Sequence, residues 1–173
     1  MMTEPNPWWR VVFDQQESRL IAYAKRLTGN VERAKDIVQE AFLRLLQEER
    51  AVVESHVVAW LYTVCRNLAI DLLRKESRMT VLDDKHWRQT AVQDPKADQQ
   101  IESHETNHSL MAFIESLPEQ QQEVLRLKFN GGLSYRQIAS ILSVSESNVG
   151  FLLSTALKTI RGCWPKQNAG EVL

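Results

Sequence analysis

The chain has no positive charge to spare: 21 Lys and Arg stand against 22 Asp and Glu in its 173 residues, a formal net charge of −1 at pH 7. It therefore lacks the global basic field that gives strong non-specific nucleic-acid affinity by counterion release. Cysteine is scarce too. Cys65 and Cys163 lie far apart and form no close-spaced pair, which argues against a disulfide scaffold and fits buried thiols in a reducing cytoplasm. No apolar run is long enough to span a bilayer. The N-terminus, Met-Met-Thr-Glu-Pro-Asn-Pro, lacks the basic start and apolar core of a secretory signal. Catalytic patterns are missing as well: there is no Ser-His-Asp ordering, no phosphate-cradling Gly loop and no Cys-x-x-Cys pair. His104 and His108 stand four apart, but no Cys or carboxylate set completes a metal site beside them. The expectation is a cytoplasmic protein that is not an enzyme, needs no cofactor or metal, and makes no membrane contact of its own.

What is present is a helix-turn-helix pattern over residues 134–153. Ile138, Ala139, Leu142, Val144, Val149 and Leu152 occupy the positions such a motif must bury, and Ala139 is small enough for the second helix to cross the first. Ser134 with Gln137 has capping-box spacing, and Ser145 is placed to cap the second helix. Ser143 takes the turn, where Gly is commoner, and Gly131-Gly132 can stop the helix before. The plainer alternative is an ordinary pair of packed amphipathic helices; the caps and the small Ala weigh against it.

Helical periodicity also dominates the first half. Phe13, Leu20, Ala24 and Leu27 mark one helix ending near Thr28-Gly29-Asn30. Ala34, Ile37, Val38, Ala41, Phe42, Leu45 and Leu46 form a stripe on the next, with Asn30 as its cap, and Val57, Leu61, Val64, Cys65, Leu68, Ala69 and Leu72 form a third after Ser55. The predicted fold is all-α, two small helical domains joined by a flexible linker: a helical bundle over 8–78, a polar, acid-rich linker over 79–108, a helix-turn-helix domain over 109–162 and a tail over 163–173. Within the second domain Leu110, Phe113, Ile114 and Leu117 restore the periodicity. Pro118 begins a new helix, with Ser116 and Glu119 at capping-box spacing.

Three polar constellations remain once the apolar stripes are buried. On the second helix these are Arg33, Asp36, Gln39, Glu40 and Arg44, either a solvated face or a surface on which Asp36 and Glu40 meet a basic partner. On the third, Arg66, Arg74, Lys75 and Arg78 gather toward the C-terminal end, where the helix dipole already favours cations. The functional alternative is a nucleic-acid surface, with Asn67 able to donate and accept at a base edge and Trp60 and Tyr62 offering rings for stacking, although Trp60 also suits the core. On the recognition helix Ser145, Ser147, Asn148, Gly150, Phe151 and Ser154 are followed by Lys158, and Arg136 on the helix before is placed to clamp a phosphate. No Arg stands in its first two turns to grip guanine, so binding by this helix alone is expected to be weak.

The segments Arg33-Ala-Lys-Asp-Ile-Val-Gln-Glu-Ala-Phe-Leu-Arg-Leu and Ala59-Trp-Leu-Tyr-Thr-Val-Cys-Arg-Asn-Leu-Ala-Ile-Asp-Leu-Leu-Arg resemble region 2 of the extracytoplasmic-function (group 4) sigma factors, within the housekeeping sigma family. Leu117-Pro118-Glu119, Val124-Leu125-Arg126-Leu127, Gly132-Leu133-Ser134-Tyr135 and Ile138-Ala139 are similar to its region 4. The resemblance implies a bacterial transcription-initiation factor that binds core RNA polymerase and directs it to promoters. It further implies that Asp36, Gln39, Glu40, Phe42 and Arg44 dock on the clamp helices of the largest polymerase subunit, with the flap as a second contact. Trp60, Arg66, Asn67, Asp71, Arg74, Lys75 and Arg78 would meet the melted −10 element. Arg136, Ser145, Ser147, Asn148, Gly150, Phe151, Ser154, Thr155 and Lys158 would meet the −35 element. Such proteins are often held by an anti-sigma factor. The family commonly carries basic residues where this chain has Gly150 and Leu152, so the −35 contact departs from the pattern. Two other readings compete: a stand-alone helix-turn-helix regulator, which would shift duplex DNA without polymerase, and a helical adaptor with no DNA role.

Overall fold

The computed structural model describes residues 7–83 and 113–163. The helices are α1 Trp8–Thr28, α2 Val31–Leu45, α3 Arg50–Val53, α4 Val57–Asp83, α5 Glu119–Phe129, α6 Tyr135–Leu142 and α7 Glu146–Cys163, with a single 3₁₀ turn at Glu54–His56. No strand occurs among the described residues. From residue 84 to 108 the expected linker lies outside the described residues, as do Leu110, His104, His108 and the expected tail beyond Cys163.

Local chemistry sets the ends of the elements. Gly29 adopts φ 68°, its N–H returns to the Lys25 carbonyl at 2.8 Å and α1 stops there. One residue on, the Asn30 side chain accepts from the Glu32 and Arg33 amides at 2.9 and 3.1 Å and starts α2. In the N-terminal domain α1, α2 and α4 pack around Leu20, Tyr23, Ala24, Ala34, Ile37, Val38, Ala41, Phe42, Leu45, Leu61, Tyr62, Cys65 and Ala69, all buried. The alanines let the helices approach, and two edge-on ring pairs fill the space beside them: Phe13 with Phe42 at 4.8 Å and Tyr23 with Tyr62 at 5.0 Å between centroids. Burying each large side chain in this core stabilises the fold by about 1.5–3 kcal/mol.

In the C-terminal domain α6 and α7 form the helix-turn-helix over α5, around Val124, Leu127, Ile138, Ala139, Val149, Leu153 and Ala156. Both halves of the Ser134–Gln137 capping box are made. Ser143 makes the turn in the left-handed region at φ 56°, and Ser145 Oγ accepts from the Asn148 amide at 3.1 Å.

Several expectations change. Leu46 is 52% exposed, because it follows Leu45 by 100° at the helix end and cannot share its stripe. Ser116 does not cap α5: its hydroxyl donates back to the Phe113 carbonyl, Pro118 takes the cap position and Gln122 reaches back to the carbonyls of Glu115 and Leu117. Leu142 and Val144 are half-buried, whereas their neighbour Ile141 is buried at a seam where α6 packs on α4. Finally α4 continues five residues past Arg78, the expected domain edge, since neither Gly nor Pro interrupts the sequence there.

Candidate functional site

On α2 the buried stripe leaves Asp36, Gln39 and Arg44 exposed and Glu40 half-exposed. Arg44 Nε donates to Glu40 Oε1 at 2.8 Å, one helical turn apart, while Asp36 and Gln39 make no side-chain hydrogen bond or ion pair among the described residues. Phe42 does not belong with them. It is 6% exposed, pinned edge-on by Phe13, and reaches the surface only as the floor of a groove between α1 and α2. The rim of that groove carries Leu43 and Leu46, both about half exposed, beside Gln39. Adjacent leucines in sequence hid this apolar rim, since only one of Leu45 and Leu46 can face the core.

Along α4 the residues Asn67, Asp71, Arg74, Lys75 and Arg78 are exposed, and their spacing of four, three, one and three puts them on one face. Trp60, half-buried, lies two turns toward the N-terminus on the same face. Arg66 points elsewhere. Its side chain is 24% exposed and its Nε donates to Glu123 Oε1 of α5 at 3.0 Å. The same oxygen accepts from the Tyr23 hydroxyl of α1 at 2.9 Å. Burial first, then the negative charge of Glu123, pushes the Tyr23 hydroxyl far above its ordinary range, so it stays a donor. Tyr62 is 1% exposed against the Tyr23 ring and offers no stacking surface. Nothing in the sequence around Glu123 signalled its role, because its partners are 100 and 57 positions away.

The recognition helix α7 presents Ser147, Asn148, Ser154, Lys158 and Phe151, the last 67% exposed; Thr155 is half-buried. Ser145 stands just before the helix with its oxygen engaged as the cap. Gly150 is half-buried and offers no side chain of its own. A Cβ built there would lie 3.6 Å from the Tyr135 ring, which leans on the helix at this point. Lys128 Nζ sits 5.3 Å from the centre of the same ring and donates to the Leu133 carbonyl. Arg136 is exposed in the first turn of α6, and lines a cavity at the seam together with Trp60, Thr63 and Val64 of α4.

A helix-turn-helix domain with its caps made, beside a helical bundle bearing a basic-ended polar stripe, defines a two-domain DNA-binding protein. Residues 12–79 match Sigma-70 region 2, and residues 107–160 match Sigma-70, region 4. The chain is 30% identical over 145 residues to the ECF RNA polymerase sigma factor SigE of Mycolicibacterium smegmatis, covering 83% of this chain and 56% of that one. To the ECF RNA polymerase sigma factor SigM of Bacillus subtilis it is 30% identical over 141 residues, 80% of this chain and 83% of that one. The sigma factor RpoE from Bartonella quintana, solved in complex with the anti-sigma factor NepR, shares the fold: TM-score 0.60 and 19% identity, over 89% of this chain and 94% of that one. The chain belongs to the ECF RNA polymerase sigma factors. It is thus a transcription-initiation factor that binds core RNA polymerase and directs it to promoters, and its relatives are regulatory DNA-binding proteins rather than catalysts. No helix among the described residues is long and apolar enough to cross a membrane.

Proposed function

We propose that the two domains divide promoter recognition between named surfaces. The α2 face of Asp36, Gln39, Glu40 and Arg44, with the apolar rim of Leu43 and Leu46 beside it, docks on the clamp helices of the largest polymerase subunit. The flap receives the C-terminal domain. The exposed α4 stripe carries the assignment for −10 DNA: Trp60 stacks on an unpaired base, Asn67 meets a base edge, and Arg74, Lys75 and Arg78 hold phosphates of the non-template strand. That stripe, polar and continuous on a helix whose other side is core, is the observation that favours the reading most. The recognition helix α7 enters the major groove at the −35 element through Ser147, Asn148, Phe151 and Ser154, with Arg136 and Lys158 on phosphates. The protein does this in the cytoplasm, without catalysis of its own, and an anti-sigma factor is its expected regulator.

The test separates the two faces of the N-terminal domain. Asp36→Lys with Glu40→Lys is expected to weaken capture by core polymerase at least tenfold while leaving the melting temperature within a few degrees, because exposed ion pairs contribute little to stability. Asn67→Ala is expected to reduce promoter opening more than polymerase capture. Unchanged capture by the first variant, or equal losses in both assays for the second, would sink the corresponding assignment.

A further inference from the structure

The face of α7 assigned to DNA carries an apolar ring at its centre. Val149, Leu152, Leu153 and Ala156 take the buried positions of the helix, so the core has no claim on Phe151, which is 67% exposed. Phe151 is the one large apolar side chain exposed on α7 among the described residues, and it has no aromatic partner among them. Its neighbours on that face are small and polar: Ser147 one turn before it, Asn148 three residues before it and Ser154 three residues after it, all exposed. The Asn148 amide is held by the Ser145 cap at 3.1 Å, while its carboxamide makes no hydrogen bond among the described residues.

Cations are missing from the part of the helix that meets base edges. A recognition helix reads bases from its N-terminal end, and from Glu146 to Thr155 the sequence contains no Lys, Arg or His. Lys158 comes three turns beyond Ser147, about 16 Å along the axis, too far to share the base pairs that Ser147 and Asn148 face. Guanine shows two acceptors in the major groove, N7 and O6, and is gripped by a two-pronged donor; α7 offers none there. Glu146, the acid of the first turn, lies about 140° around the helix from Phe151 and so points away from this face. What remains matches the other base pair. A carboxamide pairs with adenine N6 and N7, and an apolar side chain meets the thymine C5 methyl. Asn148 and Phe151 are separated by a rise of about 4.5 Å, close enough to the base step of about 3.4 Å to serve neighbouring pairs.

We propose that α7 selects adjacent A·T pairs: the Asn148 carboxamide reads adenine, and the Phe151 ring sets the neighbouring position by closing over a thymine methyl. This rests on α7 being the helix that reads the −35 element, and adds to that reading the bases it takes. A methyl contact releases no counterions, so it supplies selectivity without salt dependence.

Core polymerase carrying the full chain is offered promoters randomised at the −35 element, and the selected promoter is rebuilt with deoxyuridine in place of single thymines, which removes the methyl and nothing else. Adjacent A·T pairs are expected, with one thymine at which deoxyuridine weakens promoter binding about fourfold, the ratio for burying one methyl-sized group, by the same factor at low and high salt. Phe151→Ala is expected to bind the thymine and deoxyuridine promoters alike. Asn148→Ala is expected to relax the choice of base at the neighbouring pair by about tenfold. Both side chains are exposed, so both variants should keep the helical content of the wild type, read by circular dichroism. An element led by guanine, a methyl effect at no thymine, or one that persists in Phe151→Ala overturns the proposal. Failure of the −35 assignment itself would look different: no upstream bases would be selected at all, and Arg136→Ala with Lys158→Ala would leave the salt slope of promoter binding unchanged.

Discussion

Ser143 is the one non-glycine residue with positive φ among those described, and it sits at the turn on which the recognition helix is hung. A side chain in the left-handed region costs about 1 kcal/mol, part of which Gly would return as unfolded-chain entropy. Ser143→Gly is therefore expected to stabilise the C-terminal domain by about 0.5 kcal/mol, read as a small rise in melting temperature; a fall would show that the hydroxyl matters. Burial pushes the Cys65 thiol from 9.0 up to about 12 and the Tyr62 hydroxyl from 10.0 up to about 12. Both stay protonated in the fold and ionise earlier in the unfolded chain. Their contribution to stability is whole below about pH 9 and is lost as pH rises toward 12. Denaturant titrations should show stability level up to about pH 9 and falling from there to about pH 10.5, and a flat profile would contradict the burial. At this scale the sequence is legible where the chemistry is local. Asn30, Ser134 and Ser145 cap as their spacing predicts, because a cap needs only its own next three residues. Glu123 was not legible, since nothing local distinguishes it from an ordinary solvated carboxylate.

At the scale of elements, α7 carries Gly150 where the resembled family commonly has a basic residue. The Tyr135 ring stands at ordinary contact distance from the missing side chain, so a longer residue can pass over it toward the groove. Gly150→Arg is expected to strengthen −35 binding by polymerase holding this protein and to steepen its salt dependence by about one unit of log–log slope. Salt titration of promoter affinity checks both, and an unchanged slope would mean that position faces no phosphate. The three stripes of the N-terminal domain and the two helices of the motif were readable because burial on a helix repeats every three to four residues. Two parts were not. The stretch over Arg50–His56 is too short for periodicity to register, and Phe42, read by resemblance as a docking residue, is claimed by the core through Phe13.

For the whole molecule, a net charge of −1 leaves DNA affinity to the local basic groups. In gel-shift measurements at physiological salt the isolated protein is expected to leave promoter duplex unshifted at micromolar concentration, and to shift it once core polymerase is added; a shift by the protein alone would favour a stand-alone regulator. The two-domain plan was legible from two motif sets in order, but the packing of one domain on the other was not, because polar contacts between distant residues have no period. One bond within the N-terminal domain carries a mechanical meaning. Arg33, at the start of α2, grips Glu76 of α4 through both terminal guanidinium nitrogens, at 2.7 and 2.9 Å. This bond marks the edge of a seam along which the helix proposed for polymerase and the helix proposed for the melted strand pack directly on each other, and that packing holds their spacing. A slip of one helical turn between them, about 5.4 Å, exceeds the spacing of stacked bases, about 3.4 Å. Under the proposed assignments the domain would act as a gauge block: seated on the enzyme at one end, it would set at the other which nucleotide meets α4, and so the register in which a transcript begins.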